Sequence, residues 1–184
     1  MPLVLASKSP RRVQILELLG VKFRVEPPCC EENTENIPFK SIPLELAKRK
    51  ALDVSAKFQN DFVLGGDTLV FCENEVLGKP KNENEAYEML KKLKNKVHNV
   101  ISGLALCKNN EILYTGESLT EVHFRDYSDL EILHYISTME YTDKAGAYGA
   151  QGKGARFIKS INGCFYNVMG LPIALTFEAL NKME

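Results

Sequence analysis

The sequence predicts an α/β fold, because short apolar runs of strand type alternate with stretches whose apolar residues recur at helical spacing. Three observations carry this expectation. Residues 3–6 form a short apolar strand that runs straight into a helix start at Ser9 and Pro10. Residues 62–71, FVLGGDTLVF, set one carboxylate, Asp67, between two apolar runs that each read as a buried strand. Residues 97–107 and 112–124 are long strand-like segments, joined by Lys108-Asn109-Asn110-Glu111 as a hairpin turn. At 184 residues the chain fits one domain, residues 1–184, with room for two lobes and a sizeable core.

Composition narrows the class. An apolar fraction of 45% and a charged fraction of 26% are those of an ordinary globular protein. No apolar run is long enough to span a bilayer, and the first residues lack the basic-then-apolar pattern of a signal peptide, so a cytoplasmic protein without a membrane partner is expected. Five cysteines without a C-x-x-C pair argue for reduced thiols, and the adjacent Cys29 and Cys30 have no nearby histidine or further cysteine to complete a zinc site. A net charge of −1 gives no global bias toward nucleic acid. Any anion site must come from a local cluster.

Along the chain, the first helix starts at Ser9-Pro10 and carries Ile15, Leu16 and Leu19 until Gly20 ends it. Lys8, Arg11 and Arg12 crowd its beginning, where the macrodipole prefers acids. Either an anion such as polyphosphate meets them, or both arginines lie on a solvated face. Residues 23–26 alternate as a strand, ended by Pro27-Pro28. Residues 29–40 read as a polar loop with Glu31, Glu32 and Glu35, hard ligands that suit magnesium or manganese beside Asp67 and are otherwise solvated. A helix over residues 43–58 presents Leu44, Ala47, Ala51 and Val54 on one side. Lys48, Arg49 and Lys50 lie elsewhere on it, with at least one able to turn toward the acidic centre. If Asp67 projects from the middle of a sheet, its charge is costly unless a cation, a metal ion or a dense set of donors meets it. The alternative is a Gly-Gly-Asp-Thr turn in which Asp67 bonds nearby amides.

Glu73-Asn74-Glu75 reads as a hairpin turn leading to Val76-Leu77 and then Gly78-Lys79-Pro80, which leaves the Lys79 amine to meet phosphate. Asn82 with Glu85 and Ser128 with Glu131 resemble capping boxes for helices running to Leu93 and Ile136. His98 and His123 have no spacing that pairs them on a helix face, so both read as structural or surface histidines. Residues 144–152, KAGAYGAQG, let a backbone lie close against a ligand, with Lys144, Tyr148 and Gln151 offering charge, ring contact and amide bonds; a tight crossing of strands is the plain alternative. Asn162-Gly163 signals a hairpin between residues 157–161 and 165–168, and Gly170-Leu171-Pro172 opens a last helix over 173–181.

Taken together, Leu5-Ala6-Ser7-Lys8-Ser9-Pro10-Arg11-Arg12, Gly66-Asp67-Thr68, Gly78-Lys79-Pro80, the 144–152 stretch and Asn167-Val168-Met169-Gly170-Leu171-Pro172 resemble the Maf family of nucleoside triphosphate pyrophosphatases, in order and over nearly the whole chain. The resemblance implies a mixed, twisted sheet with flanking helices forming two lobes around a nucleotide cleft. It implies hydrolysis between the α and β phosphates with a divalent cation, Mg2+ or Mn2+, as cofactor. Asp67 matches the proton acceptor that activates water; Arg12, Thr68 and Gln151 match positions linked to substrate choice; Ser7, Arg11, Lys50 and Lys79 match positions lining the phosphate cleft. Glu32 matches the acidic metal-binding position with Asp67, and Glu31 is the alternative one residue away. Asp-Thr at the centre resembles the branch acting on dTTP and UTP, whereas the 7-methyl-GTP branch carries Asp-Gln. Two departures are Gly66, where alanine is usual, and Cys164, where serine is common. The family also implies a possible homodimer, and a nucleotide-binding regulator of cell division or septum formation is the rival reading. The absence of a G-x-x-x-x-G-K-[ST] run excludes a P-loop kinase.

Overall fold

The computed structural model describes residues 2–183, and a seven-stranded sheet runs through it in the order β2-β1-β3-β5-β6-β7, with β4 paired to β3. The elements are β1 (Leu3–Ala6), α1 (Pro10–Leu18), β2 (Phe23–Val25), α2 (Ile42–Ser55), β3 (Phe62–Cys72), β4 (Glu75–Leu77), α3 (Glu83–Leu93), β5 (Val97–Lys108), β6 (Glu111–Phe124), α4 (Asp129–Ile136), β7 (Ile158–Asn162), α5 (Phe165–Met169) and α6 (Ile173–Leu180). The sheet is mixed: β1 pairs in parallel with β2 and β3, while β3–β4 and β6–β7 are antiparallel. The expected α/β class with flanking helices is what the chain adopts. It divides into two compact units, one of Met1–Thr68, Ile101–Ser118 and Gly170–Glu184, the other of Leu69–Val100 and Leu119–Met169.

In the first unit, β1 is buried along its whole length, as an all-apolar parallel strand with neighbours on both sides must be. Its C-terminal residue, Ala6, pairs with Gly65 of β3, so the chain leaves β1 beside the point where β3 reaches Gly66 and Asp67. The glycines of 62–71 do not divide it into two strands, as the sequence suggested; β3 is one continuous strand of 11 residues. They serve packing instead. A Cβ on Gly65 would lie 2.3 Å from the Ala47 carbonyl oxygen and 2.9 Å from Ala51, and one on Gly103 of β5 would lie 2.3 Å from Leu44. Helix α2 therefore lies flush against the sheet over two residues without side chains. Its regular part ends at Ser55, short of residue 58, because the N–H groups of Lys57 and Phe58 reach back only three residues, to Val54 and Ser55.

In the second unit the turn signals held at one hairpin and failed at another. Glu73 and Asn74 take positive φ of 50° and 66° between β3 and β4, as a tight hairpin requires. Asn82 caps α3 through Glu85 N–H, and Ser128 with Glu131 forms a full capping box on α4. After Asn162-Gly163, however, the chain forms α5 and not a returning strand. Thr120 is the cause. Its hydroxyl accepts from Cys164 N–H at 3.1 Å and from Asn167 Nδ2 at 2.9 Å, and Asn167 also donates to the Val100 carbonyl at 3.0 Å. A compact helical turn satisfies these groups, whereas an extended strand would carry Asn167 away from them. Cys164 meets Thr120 through its backbone, so no side-chain hydroxyl is needed there.

His98 of β5 is fully buried among Phe124 and Tyr148, with Nε2 2.8 Å from the Tyr148 hydroxyl and, among the described residues, no hydrogen-bond partner at Nδ1. Burial, and secondarily the nearby His123, push its pKa from about 6.5 down to about 3. It is a structural histidine, as expected. Between those two values the unfolded chain holds a proton that the folded chain refuses, so stability falls as pH drops below about 6.5 and levels off below about 3. Going from pH 7 to pH 4 this group should cost about 3 kcal/mol in urea-unfolding free energy. His98→Gln should remove that component of the pH dependence and leave the carboxylate component.

The glycines generate a second expectation. Gly65→Ala should destabilise by about 1–3 kcal/mol through overpacking against α2. Gly66→Ala places its methyl 3.4 Å from Arg12 Nε and Leu171, ordinary contact, and should be neutral or stabilising by up to about 1 kcal/mol in the same urea titration.

Candidate active site

The site is built in the first unit, where parallel strands β1 and β3 end their shared pairing. Past Ala6 the chain bends sharply, Ser7 N–H bonding the Leu5 carbonyl, and the buried Ser7 hydroxyl accepts from Ser9 N–H at 3.1 Å. Ser9 occupies the N-cap position of α1 without a side-chain cap bond, so Ser7 takes over part of the work of fixing the strand-to-helix turn.

Arg12 is not on a solvated face. It shares the buried face of α1 with Ile15 and Leu16, at helical spacing, and is only 9% exposed. Its guanidinium is held from three directions: Nε donates to the Gly170 carbonyl at 2.7 Å, Nη1 to Ser7 Oγ at 3.2 Å, and Nη2 to Thr68 Oγ1 at 3.2 Å. Thr68 Oγ1 in turn lies 2.8 Å from Ser102 Oγ. Burial lowers the Arg12 pKa, the charge of Asp67 opposes that, Arg11 adds to it, and Glu32 opposes it. The ordering places Asp67, Arg11 and Glu32 close enough to Arg12 for their charges to matter.

Asp67 projects from the middle of β3 and meets a cation. Lys50 Nζ lies 2.6 Å from Asp67 Oδ1 and 2.6 Å from Glu32 Oε1, bridging the two carboxylates. Lys50 lies on the core side of α2, between Ala47 and Val54, and the flush packing over Gly65 and Gly103 brings it to β3. Glu32, not Glu31, makes this contact. Its loop is fastened to α2 at further points: Cys29 N–H donates to Asp53 Oδ2 at 2.8 Å, and Arg49 Nη1 donates to the Asn33 carbonyl at 2.6 Å. Arg49 is also paired with Glu45, so of the three basic residues at 48–50 one is buried at the centre and one ties down the loop.

Two hard carboxylate oxygens that converge on one ammonium also converge on a cation-sized point. That donor chemistry fits a small divalent metal ion, which needs one or two carboxylates and takes its other ligands from substrate and water. Among the described residues no group of three or more His, Cys, Asp or Glu could hold a metal ion, so the protein itself offers the pair and no closed cage.

Lys79 and Gln151 belong to the second unit and both are exposed. The Gly146 N–H bonds the Gly78 carbonyl at 3.1 Å, which joins the Gly78-Lys79-Pro80 segment to the glycine-rich stretch. Within that stretch Tyr148 and Lys144 are committed elsewhere: Tyr148 is buried against His98, and Lys144 bonds Asp143 and the Glu140 carbonyl. The glycines make room for a carboxylate, not for crossing strands. Glu140 accepts from Lys153 N–H at 2.8 Å and Gly154 N–H at 3.1 Å, and a Cβ on Gly152 would lie within 2.6 Å of that carboxylate. Sequence reasoning missed Ser102, the Gly170 carbonyl, Asp53 and Glu140; each acts across a long sequence separation and belongs to no local pattern.

An arginine holding three groups at diverging angles has no equivalent in lysine. Arg12→Lys should therefore destabilise the protein by about 1–3 kcal/mol in urea unfolding, because the Gly170 carbonyl and the two hydroxyls cannot all be met by one ammonium.

A family model described as Maf-like protein matches residues 2–183. Among curated proteins, the dTTP/UTP pyrophosphatase of Aquifex aeolicus is 45% identical, with 100% of this chain and 96% of that protein covered. The protein of the same name from Alkaliphilus oremlandii is 48% identical, covering 93% of this chain and 90% of its own length. Among solved structures, a HAM1 protein from Coxiella burnetii shares the fold, with a TM-score of 0.55 at 16% identity over 100% of this chain and 98% of that one.

Proposed function

Since the chain belongs to the Maf family, we propose that it hydrolyses dTTP and UTP, and modified pyrimidine nucleotides of the same shape, to the monophosphate and pyrophosphate, limiting their incorporation into nucleic acids. Full-length kinship with proteins named dTTP/UTP pyrophosphatase carries this reading. The carboxylate pair beside a fixed arginine supports it, since a protein that only bound a polyanion would gain nothing from aiming Glu32 and Asp67 at it. The chain acts as one functional domain, residues 1–184, in the cytoplasm, with a nucleoside triphosphate and neither nucleic acid nor membrane as its partner.

Ser7, Arg11, Arg12, Lys50 and Lys79 are the residues assigned to the phosphates, with Arg12, Thr68 and Gln151 tied to substrate choice. Arg12 is preorganised for this role because its side-chain entropy is already spent on Gly170, Ser7 and Thr68. Glu32 and Asp67 are the residues that would hold Mg2+ or Mn2+, which when bound would supply charge neutralisation at the triphosphate and acidify water. Asp67 then orients a water for in-line attack on the α phosphorus and takes up its proton at a carboxylate oxygen. A carboxylate is a weak base, so most of the acceleration comes from positioning and electrostatic stabilisation of the leaving pyrophosphate by the arginines and lysines.

The test is pyrophosphate release across dTTP, UTP, CTP, dATP, GTP and 7-methyl-GTP, with magnesium, manganese or chelator. Release should be greatest from dTTP and UTP and be abolished by chelator. Asp67→Asn should lower it by about 100- to 10,000-fold in a protein that still folds, as circular dichroism checks. Binding without release from any of the six would overturn the reading.

A further inference from the structure

The two carboxylates assigned to the metal do not face each other across a gap; a lysine ammonium sits against both, at 2.6 Å from each. That lysine is 7% exposed and rooted in a helix that packs without clearance on the sheet, so it is a fixed charge rather than a wandering surface amine. Asp67 is also largely enclosed, its side chain 16% exposed, while Glu32 at 60% comes from the solvent side on a loop tied to the same helix. Arg11 and Arg12 add two further cations whose charges act on one another and, for Arg12, on both carboxylates.

Lys50, with Arg12 near by, thus already compensates the two carboxylates. A divalent cation arriving alone must displace the ammonium from both oxygens and add positive charge beside Lys50 and Arg12. A triphosphate removes both obstacles, because it brings several negative charges and offers the ammonium other oxygens.

We infer that Lys50 is the resident counter-cation of the Glu32–Asp67 pair and closes it to divalent cations until a triphosphate arrives, so that metal and nucleotide enter together. This rests on the assignment of the pair to a metal in the proposed reaction. Lys50 acts here as a positioning residue, through the carboxylates it occupies.

The experiment is a titration of the protein with Mn2+ alone, without nucleotide, reading unbound Mn2+ by electron paramagnetic resonance. Lys50→Met should bind Mn2+ at least tenfold more tightly than the unaltered protein, and Lys50→Arg, which keeps the cation, should stay within about threefold of it. The added Glu32→Gln change should abolish the gain of Lys50→Met. Should Lys50→Met fold poorly by circular dichroism, Lys50→Gln makes the same comparison with a neutral polar chain. A folded Lys50→Met or Lys50→Gln that binds Mn2+ no more tightly, or a gain that survives Glu32→Gln, overturns the inference. Because no nucleotide is present, either result is independent of pyrophosphate release, which tests the reaction itself.

Discussion

The flush contact between α2 and the sheet is the constraint on which the charged centre depends. A helix normally stands off a sheet by the thickness of two layers of side chains, but Gly65 and Gly103 remove one of those layers where α2 crosses β3 and β5. The consequence is electrostatic as well as steric. Lys50 comes from the core-facing side of α2, a position where an ammonium is costly to bury, and Asp67 comes from the middle of a strand, where a carboxylate is equally costly. Each makes the other tolerable only because the backbones approach closely enough for a direct bond. Moving the helix outward by the width of a methyl group would lengthen the Lys50–Asp67 contact and weaken that mutual compensation.

Arg12 applies the same logic to a second region of that unit. Its guanidinium links the turn after β1, the Thr68 hydroxyl on β3 and the Gly170 carbonyl ahead of α6, residues separated by up to 158 positions in sequence. Buried arginines are rarely retained for stability alone, since desolvation offsets much of what the hydrogen bonds contribute. Here the lowered pKa caused chiefly by burial marks that cost, and Asp67 is the first charge that relieves it. The arginine, the lysine and the two carboxylates therefore form one electrostatic unit, in which each charge makes the burial of its neighbour tolerable.

How much of this was legible in the sequence depended on whether a feature is local. The strand into α1, the caps of α3 and α4, and the Glu73-Asn74 hairpin are set by residues within a few positions of one another, and all read correctly except that Glu85 accepts from Lys81 N–H instead of completing a box with Asn82. The 62–71 stretch misled because glycine in a strand signals both interruption and close packing, and only the partner helix distinguishes them. Asn162-Gly163 misled because Thr120, more than forty residues earlier, outbids the strand that the turn would otherwise have started. Tyr148 resembled a ligand contact for want of any local sign that His98 would claim its hydroxyl. At the charged centre, helical periodicity put Lys50 off the apolar side of α2, because the criterion that identifies a core face counts hydrophobicity and so excludes a buried cation in advance.

Thr68, which we propose takes part in substrate choice, is fixed by the protein's own hydrogen bonds. Its hydroxyl accepts from Arg12 Nη2 at 3.2 Å, lies 2.8 Å from Ser102 Oγ and 3.3 Å from the Gly170 carbonyl, so a small side chain with one oxygen close to the backbone suits the position. Glutamine, which resembles the other branch, would carry its polar group two further carbons out and could not leave an oxygen at that spot. Arg12 would then lose one of the three groups that fix its pose. The difference between Asp-Thr and Asp-Gln is therefore a difference in how the arginine is anchored, because the Thr68 hydroxyl orients the cation beside it.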